Sequence, residues 1–263
     1  MDYDGFQKIT EYIMIETVEE EIIEIEQKVT YIETDGTERE YYAKGDGESI
    51  EIIMPDTQEI DVDYAKDSIS DFDYKEVIVG VYSEDGILII PEETVPLIVE
   101  YGYFVSLVNE DMHVILDNDV VKNLEMLTGE VILMIDRADD GDMTEKQQLV
   151  VGNNYAIVVL LTVDGEVVHE LGGLADITVE PGFDAAYVYY VDEEGNRTLI
   201  PSTYDPETGN IEFEVNHFSI YMITLEEHPD ENEKVWWLPW FILIITLILM
   251  YAPLVILRWY ERD

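Results

Sequence analysis

"TYDPETGNIEFEVNHFSIYMIT", residues 203–224, sets an aspartate, a histidine and a serine among alternating apolar residues. It admits two readings, a catalytic corner built from Asp205, His217 and Ser219, or the last hairpin of a β domain. In "DPETG", Pro206 takes the second turn position, where its fixed φ fits. Gly209 stands where a left-handed backbone is needed, so the turn joins "LIPSTY" to "NIEFEV". In the next strand Phe218, Ile220 and Met222 alternate with Ser219, Tyr221 and Ile223, which predicts one face toward a core. His217 and Ser219 fall on the same side, yet no strained strand-to-helix elbow and no glycine-rich oxyanion loop surrounds Ser219. A structural histidine bonded to neighbouring backbone is therefore expected at 217.

Working outward, "EVILMID", "YAIVVLLTV", "ADITVE", "AYVYYV" and "RTLIP" read as further strands, and runs such as "KVTYIET" and "REYYA" alternate. Asp-Gly pairs at Asp4-Gly5, Asp35-Gly36, Asp46-Gly47, Asp85-Gly86, Asp140-Gly141 and Asp164-Gly165 punctuate the chain as tight hairpin turns do. Most connections are of hairpin length, so antiparallel pairing is expected to dominate. Between Glu11 and Val29 the apolar positions Ile15, Val18, Ile22, Ile25 and Val29 also fit a helical spacing, and the β-branched content favours strands.

"VIVGVYSEDGILIIPEETVPLI" (residues 77–98) aligns without gaps on "YFVSLVNEDMHVILDNDVVKNL" (residues 103–124). Each copy reads strand, turn, strand, short helix, a duplicated β-β-α unit inside a larger domain. Pro91 is expected in the first turn of the first helix. Asp117 is expected to cap the second, with Val120, Val121 and Leu124 on its buried face. The polar segment "RADDGDMTEKQQLVVG" predicts a loop and one short helix.

Composition sets outer bounds. Of 263 residues 47% are hydrophobic, enough for a substantial core, and 60 Asp plus Glu face 13 Lys plus Arg for a net charge of -47. Phosphate backbones would be repelled over nearly the whole surface, so nucleic acid is excluded as a partner. Such a charge suits high salt, a cation-rich cell exterior or a crowded wall. The absence of cysteine removes disulfides, zinc thiolates and thiol catalysis.

The run Val235–Leu257 carries no charge. At ~1.5 Å per residue its length is about 34 Å, enough to cross a hydrocarbon core of ~30 Å as one transmembrane helix. Trp236, Trp237 and Trp240 at one edge, and Trp259 and Tyr260 at the other, suit aromatic belts. Pro239 fits the first turn, and Pro253 is expected to kink the end. Arg258 and Arg262 follow the span and the acidic "LEEHPDENEK" precedes it, which predicts a cytoplasmic tail and an external body. The N-terminal "MDYDGFQKITEYIM" lacks the basic and apolar regions of a secretory signal, so the chain is expected to be the C-terminal part of a longer reading frame or to have a misassigned start.

Other candidate sites are weaker. "DRADDGD" suggests Ca²⁺ through Asp136, Asp140 and Gly141, but Ala138 replaces a ligand and Gln147 stands where a bidentate Glu belongs, so a solvated acidic turn is expected. His113, His169, His217 and His228 show no metal-ligand spacing. "LGGLAD" lacks the Lys-Ser/Thr pair of a phosphate loop. Asn196 in "NRT" is a sequon for N-glycosylation in a predicted turn. No cofactor is expected.

The stretch "LTVDGEVVHELGGLADITVEPGFDAAYVYYVDEEGNRTLIPSTYDPETGNIEFEVNHFSIYMIT" resembles the β-rich C-terminal domain of bacterial and archaeal modular cell-surface, adhesin-like proteins. That domain carries the pattern YYVDxxGxxxxxPxxYDxxTGxxxFxxxHFSxY. The similarity extends upstream over "VILDNDVVKNL" and "MTEKQQLVVGNN", from about Tyr103 to Thr224. The matching motif positions include Tyr204, Asp205, Pro206, Gly209, His217, Phe218, Ser219 and Tyr221. The resemblance implies a non-enzymatic surface module near the end of a large protein, with no catalytic residues and with a wall anchor or S-layer modules after it. This chain departs from that pattern by ending in an apolar span without an LPxTG sorting motif, which implies a membrane-held version.

The expected protein is mainly β, an antiparallel β-sandwich-like extracellular body with a few short helices plus one C-terminal transmembrane helix. Residues 1–70 would form an N-terminal hairpin segment, 71–225 the surface domain, 226–234 an acidic juxtamembrane linker, 235–257 the span and 258–263 the tail. Its partners would be the lipid bilayer and surface glycans or other cell-surface proteins, in a stalk or adhesive role. Two alternatives stand beside it: a surface carbohydrate-active hydrolase using a carboxylate pair, and a cytosolic tail-anchored protein.

Overall fold

The computed structural model describes residues 49–54, 57–62, 65, 75–185 and 187–226, together with the strand backbones of 7–14, 25–32, 38–45 and Pro55. The chain divides into two compact units, Met1–Glu227 and His228–Asp263. The expected span, most of the linker, the tail, residues 15–24 and the turns at Asp4-Gly5, Asp35-Gly36 and Asp46-Gly47 lie outside the described residues. Among the described residues no helix is long and apolar enough to cross a membrane.

The first unit is mainly β, with two sheets and three short helices among the described residues. The first sheet runs β4 (Ser49–Pro55), β5 (Glu76–Tyr82), β7 (Phe104–Val108), β8 (Met112–Leu116), β12 (Ala175–Val179), β16 (Ile211–Val215) and β15 (Ser202–Tyr204). A meander of β1 (Gln7–Met14), β2 (Ile25–Ile32) and β3 (Glu38–Gly45) extends it beyond β4 to 10 strands. The second sheet is antiparallel and runs β14 (Arg197–Ile200), β13 (Tyr187–Val191), β17 (Ile220–Thr224), β10 (Tyr155–Val163), β9 (Val131–Arg137) and β6 (Ile87–Ile90), with β11 (Glu166–Val167) paired to β10. Asp164 and Gly165, both at positive φ, make the two-residue turn of the β10–β11 hairpin.

Strand alternation explains the core. Val79 and Val81, Val105 and Leu107, and Val114 and Leu116 from the first sheet meet Leu133 and Ile135, Val159 and Leu161 from the second in one buried cluster. Each such side chain contributes about 1.5–3 kcal/mol when fully removed from water. Helices α1 (Val95–Tyr101) and α2 (Asn118–Glu125) add Val95 and Ile98, and Val120, Val121 and Leu124, to this cluster. The Asp117 carboxylate accepts from the Val120 N–H at 2.7 Å, the cap that the sequence predicts. Helix α3 (Glu145–Val151) starts with a capping box between Thr144 and Gln147.

Four expectations change. The first helix begins at Val95, and Pro96 rather than Pro91 sits in its first turn; the Pro91 carbonyl instead accepts from Thr94 N in the preceding turn. The first sheet is mixed, because β5 runs parallel to both β4 and β7. Both copies of the repeat keep the order strand, turn, strand, helix, but only β7 and β8 pair as a hairpin, whereas β5 and β6 part into different sheets. Finally, β17 is buried on both faces: Tyr221 and Ile223 enter the inter-sheet core, while Ile220 and Met222 pack outward with Val151 of α3, Tyr189 and Val191. Phe218 belongs to the inter-sheet core, not to the face of Ile220.

The two copies differ locally at Gly86. Its φ of 64° and lack of a Cβ let its carbonyl accept from Ile135 N at 2.8 Å, on β9 of the opposite sheet; a Cβ there would lie 2.0 Å from the Ile135 oxygen. Met112 occupies the matching position of the second copy. There Asn109 Oδ1 accepts from the N–H groups of Asp111 and Met112, and the chain folds straight back.

Candidate functional site

The hairpin of the opening stretch forms as the sequence predicts. Asp205 N–H donates to the Asn210 carbonyl and Gly209 N–H to the Asp205 carbonyl, both at 2.8 Å, with Gly209 at φ 80°. The Asp205 carboxylate accepts from the Glu207 N–H and the Thr208 hydroxyl, and these bonds hold it below the usual carboxylate range. Tyr204 donates to Asp184 at 3.0 Å. Pro206 is exposed at the tip.

From β16 the chain crosses to β17 in the other sheet within residues 216–219, and the carbonyls of Asn216, His217 and Ser219 all accept hydrogen bonds. Asn216 O accepts from Leu171 N, Ser219 O accepts from Val159 N, and His217 O accepts from the Tyr221 hydroxyl. A tyrosine that reaches back to the main chain a few residues upstream, where a strand changes sheets, is a tyrosine corner. Burial raises the Tyr221 phenol far above its ordinary pKa, and Tyr190 adds to the rise. Because that phenol gives its proton to the carbonyl, its oxygen is left to accept from Nδ1 of His217, 3.2 Å away. In the neutral ring this leaves Nε2 as the nitrogen that accepts. The histidine is thus tied to Tyr221 by its ring and its carbonyl, where the sequence reading expects a ring-to-backbone bond.

Asp205, His217 and Ser219 are not assembled into a relay. The Ser219 hydroxyl is bonded to Tyr190. Asp205 is separated from His217 by all of β16, about 17 Å at ~3.4 Å per residue.

What the corner does form is the floor of a trough with a volume of about 540 Å³. The buried residues Val159, Phe218 and Ile220 back the trough, and Tyr190 lies with its ring centroid 4.4 Å from that of His217. His169 and Glu170, which follow β11, flank one side, and Thr144 with the Asp192–Glu194 turn flanks another. Thr144 donates to the Glu193 carbonyl at 3.1 Å, and buried Gln147 donates to the Val191 carbonyl at 3.0 Å, so the start of α3 is fixed to that turn. Burial raises the Tyr190 pKa, Asp192 adds to the rise, the Ser219 bond opposes it, and Glu193 and Glu194 reinforce it.

The remaining sequence candidates are dispersed. Asn196 is exposed in the β13–β14 turn, its amide nitrogen 2.8 Å from Asp192. In the "DRADDGD" loop Asp139 accepts from Gly141 N and Asp142 from Asp139 N, so the carboxylates fold onto their own backbone. Among the described residues no group of three or more His, Asp or Glu is placed to hold a metal ion.

A second polar cluster, on the outer face of the first sheet, has no counterpart in the sequence reading. Glu51 Oε1 accepts from Ser106 at 2.6 Å and lies 2.9 Å from Nε2 of His113. These residues come from β4, β7 and β8, and Gly80 of the intervening β5 leaves room: a Cβ there would lie 1.9 Å from Ser106 Oγ.

Fold and trough together define a β-rich body of two facing sheets with a polar, aromatic-floored groove at an inter-sheet corner. No family model, no curated protein and no solved structure matches the chain.

Proposed function

We propose that the chain is a non-enzymatic, membrane-anchored cell-surface protein. In this reading the first unit is an extracellular sandwich-like body with a stalk or adhesive role, and residues 235–257 are its single anchor. The observation that carries it is the uncharged run Val235–Leu257, with acidic residues Glu226–Glu233 on one flank and Arg258 and Arg262 on the other. An anionic cytoplasmic leaflet repels the first flank and attracts the second, so both terms turn the body outward. The net charge of -47 supports an exterior setting, where it keeps the surface hydrated and apart from its neighbours. The resemblance of the Tyr204–Tyr221 motif to surface modules agrees with this reading.

Protease added to intact cells should remove the body and leave a protected fragment of roughly thirty residues, one span and its tail. A body that resists until the cells are lysed would establish the cytosolic tail-anchored alternative instead.

A further inference from the structure

We propose that the trough beside the tyrosine corner binds a short neutral saccharide. This deepens the adhesive reading above by naming its site and ligand class.

Three features point there together. The volume of about 540 Å³ falls in the range of small-ligand sites, and the groove is built on strands and a capped helix start rather than on a free loop. Its floor is amphipathic. The Tyr190 and His217 rings, 4.4 Å apart between centroids and inclined at 50°, offer apolar ring surface, and the half-buried Ser219 lines the same groove. A pyranose has matching character, with a C–H face that packs on a ring and hydroxyls that donate and accept around its edge. The flanks add exposed carboxylates at Glu193 and Glu194 and the exposed imidazole of His169, acceptors for such hydroxyls.

The same flanks set the charge of the ligand. Glu170, Asp192, Glu193 and Glu194 stand around the groove, so a uronic or sialic acid, a phosphate or a sulfate would meet like charge. A cationic peptide would find its countercharges only on exposed side chains, where screened pairs contribute little, and would leave the hydroxyl and ring floor unused. A neutral oligosaccharide uses both.

The test uses the full-length protein in lipid nanodiscs, since maltoside or glucoside detergents would compete. Chitotriose, maltotriose and mannotriose are titrated by saturation-transfer NMR and calorimetry, with 3′-sialyllactose and tetralysine as charged controls. At least one neutral probe should bind. His169→Ala and the pair Glu193→Gln/Glu194→Gln should each weaken it by roughly fivefold or more, the loss expected for one hydrogen bond to a charged or polar acceptor, at an unchanged melting temperature. Tyr190→Phe, which keeps the ring, should retain binding, whereas Tyr190→Leu should abolish it; if the Leu variant does not fold, the rim variants decide. No binding of any neutral probe, binding indifferent to the rim variants, or binding only of tetralysine would overturn the proposal. Its failure is separable from failure of the surface reading, because binding is measured without reference to which side of a membrane the body occupies.

Discussion

The hydroxyl of Tyr221 donates to the main-chain carbonyl of His217, four residues back, where the chain leaves one sheet for the other. Tyr221 is fully buried, and its ring lies 5.4 Å from Phe213 of the opposite sheet, so one side chain both fills the core and closes the corner.

Tyr221→Phe should therefore destabilise the body by about 1–3 kcal/mol, because it leaves a carbonyl unpaired while keeping the ring. His217→Ala should cost less, since the carbonyl is main chain and survives the change. All four tryptophans, Trp236, Trp237, Trp240 and Trp259, lie in the second unit. Unfolding of the body must then be followed by tyrosine near-ultraviolet circular dichroism in urea. Equal midpoints for Tyr221→Phe and wild type would refute the role of the corner.

Gly80→Ala is expected to be poorly tolerated for want of space, with a loss of about 1–3 kcal/mol or more from overpacking. The new methyl would fall on Ser106 Oγ, 1.9 Å away, and push apart the Glu51–Ser106 bond. Adding Ser106→Ala to Gly80→Ala should recover part of the loss in a double-mutant cycle. Simple additivity of the two changes would show that the clash is elsewhere.

Gly209 presents the opposite case. No atom lies within 4 Å of a Cβ built there, but its φ is 80°. Gly209→Val should cost on the order of 1 kcal/mol or more through backbone strain alone, and Gly209→Asn should cost clearly less, because Asn visits the left-handed region. Melting temperatures that rank the two variants in the other order would count against the turn geometry.

The Asp205 carboxyl should titrate below the usual range, for it accepts first from the Glu207 N–H and then from the Thr208 hydroxyl. Its folded pKa is lower than its unfolded one, so the stability it contributes is complete above the unfolded pKa and is lost as pH falls through the folded value. The stability difference between wild type and Asp205→Asn should thus be present at neutral pH and shrink below about pH 4. A carbon-detected NMR titration of the side chain, showing an ordinary or raised pKa, would contradict the bonding seen at the turn.

Much of this body is legible along the chain because its determinants are local. Period-two alternation marks β12 and β16, apolar runs bounded by turns mark β9, β10 and β17, Asp117 marks the start of α2 three residues before the N–H it caps, and "DPETG" spells its own turn. Of the stretch Glu11–Val29, where helix and strand spacing compete, Glu11–Met14 and Ile25–Val29 are strand backbone hydrogen-bonded to each other, and residues 15–24 lie outside the described residues.

Sheet membership was not legible. "VIVGVYSEDGILII" and "YFVSLVNEDMHVIL" carry nearly the same pattern, yet the first divides between the two sheets, with Gly86 bonded to Ile135, 49 positions further on, while the second closes as a hairpin. The outer cluster of Glu51, Ser106 and His113 joins residues separated by 55 and 62 positions and depends on a missing Cβ in a strand between them. The trough likewise exists only because a corner, a hairpin and a helix start converge. Which segments are strands and where most of them turn follows from residues within a few positions of one another and can be read along the chain. Which sheet each strand joins and which polar groups meet depends on contacts far apart in the chain, because backbone hydrogen bonds between strands are indifferent to sequence and side-chain size at distant contacts selects among the pairings.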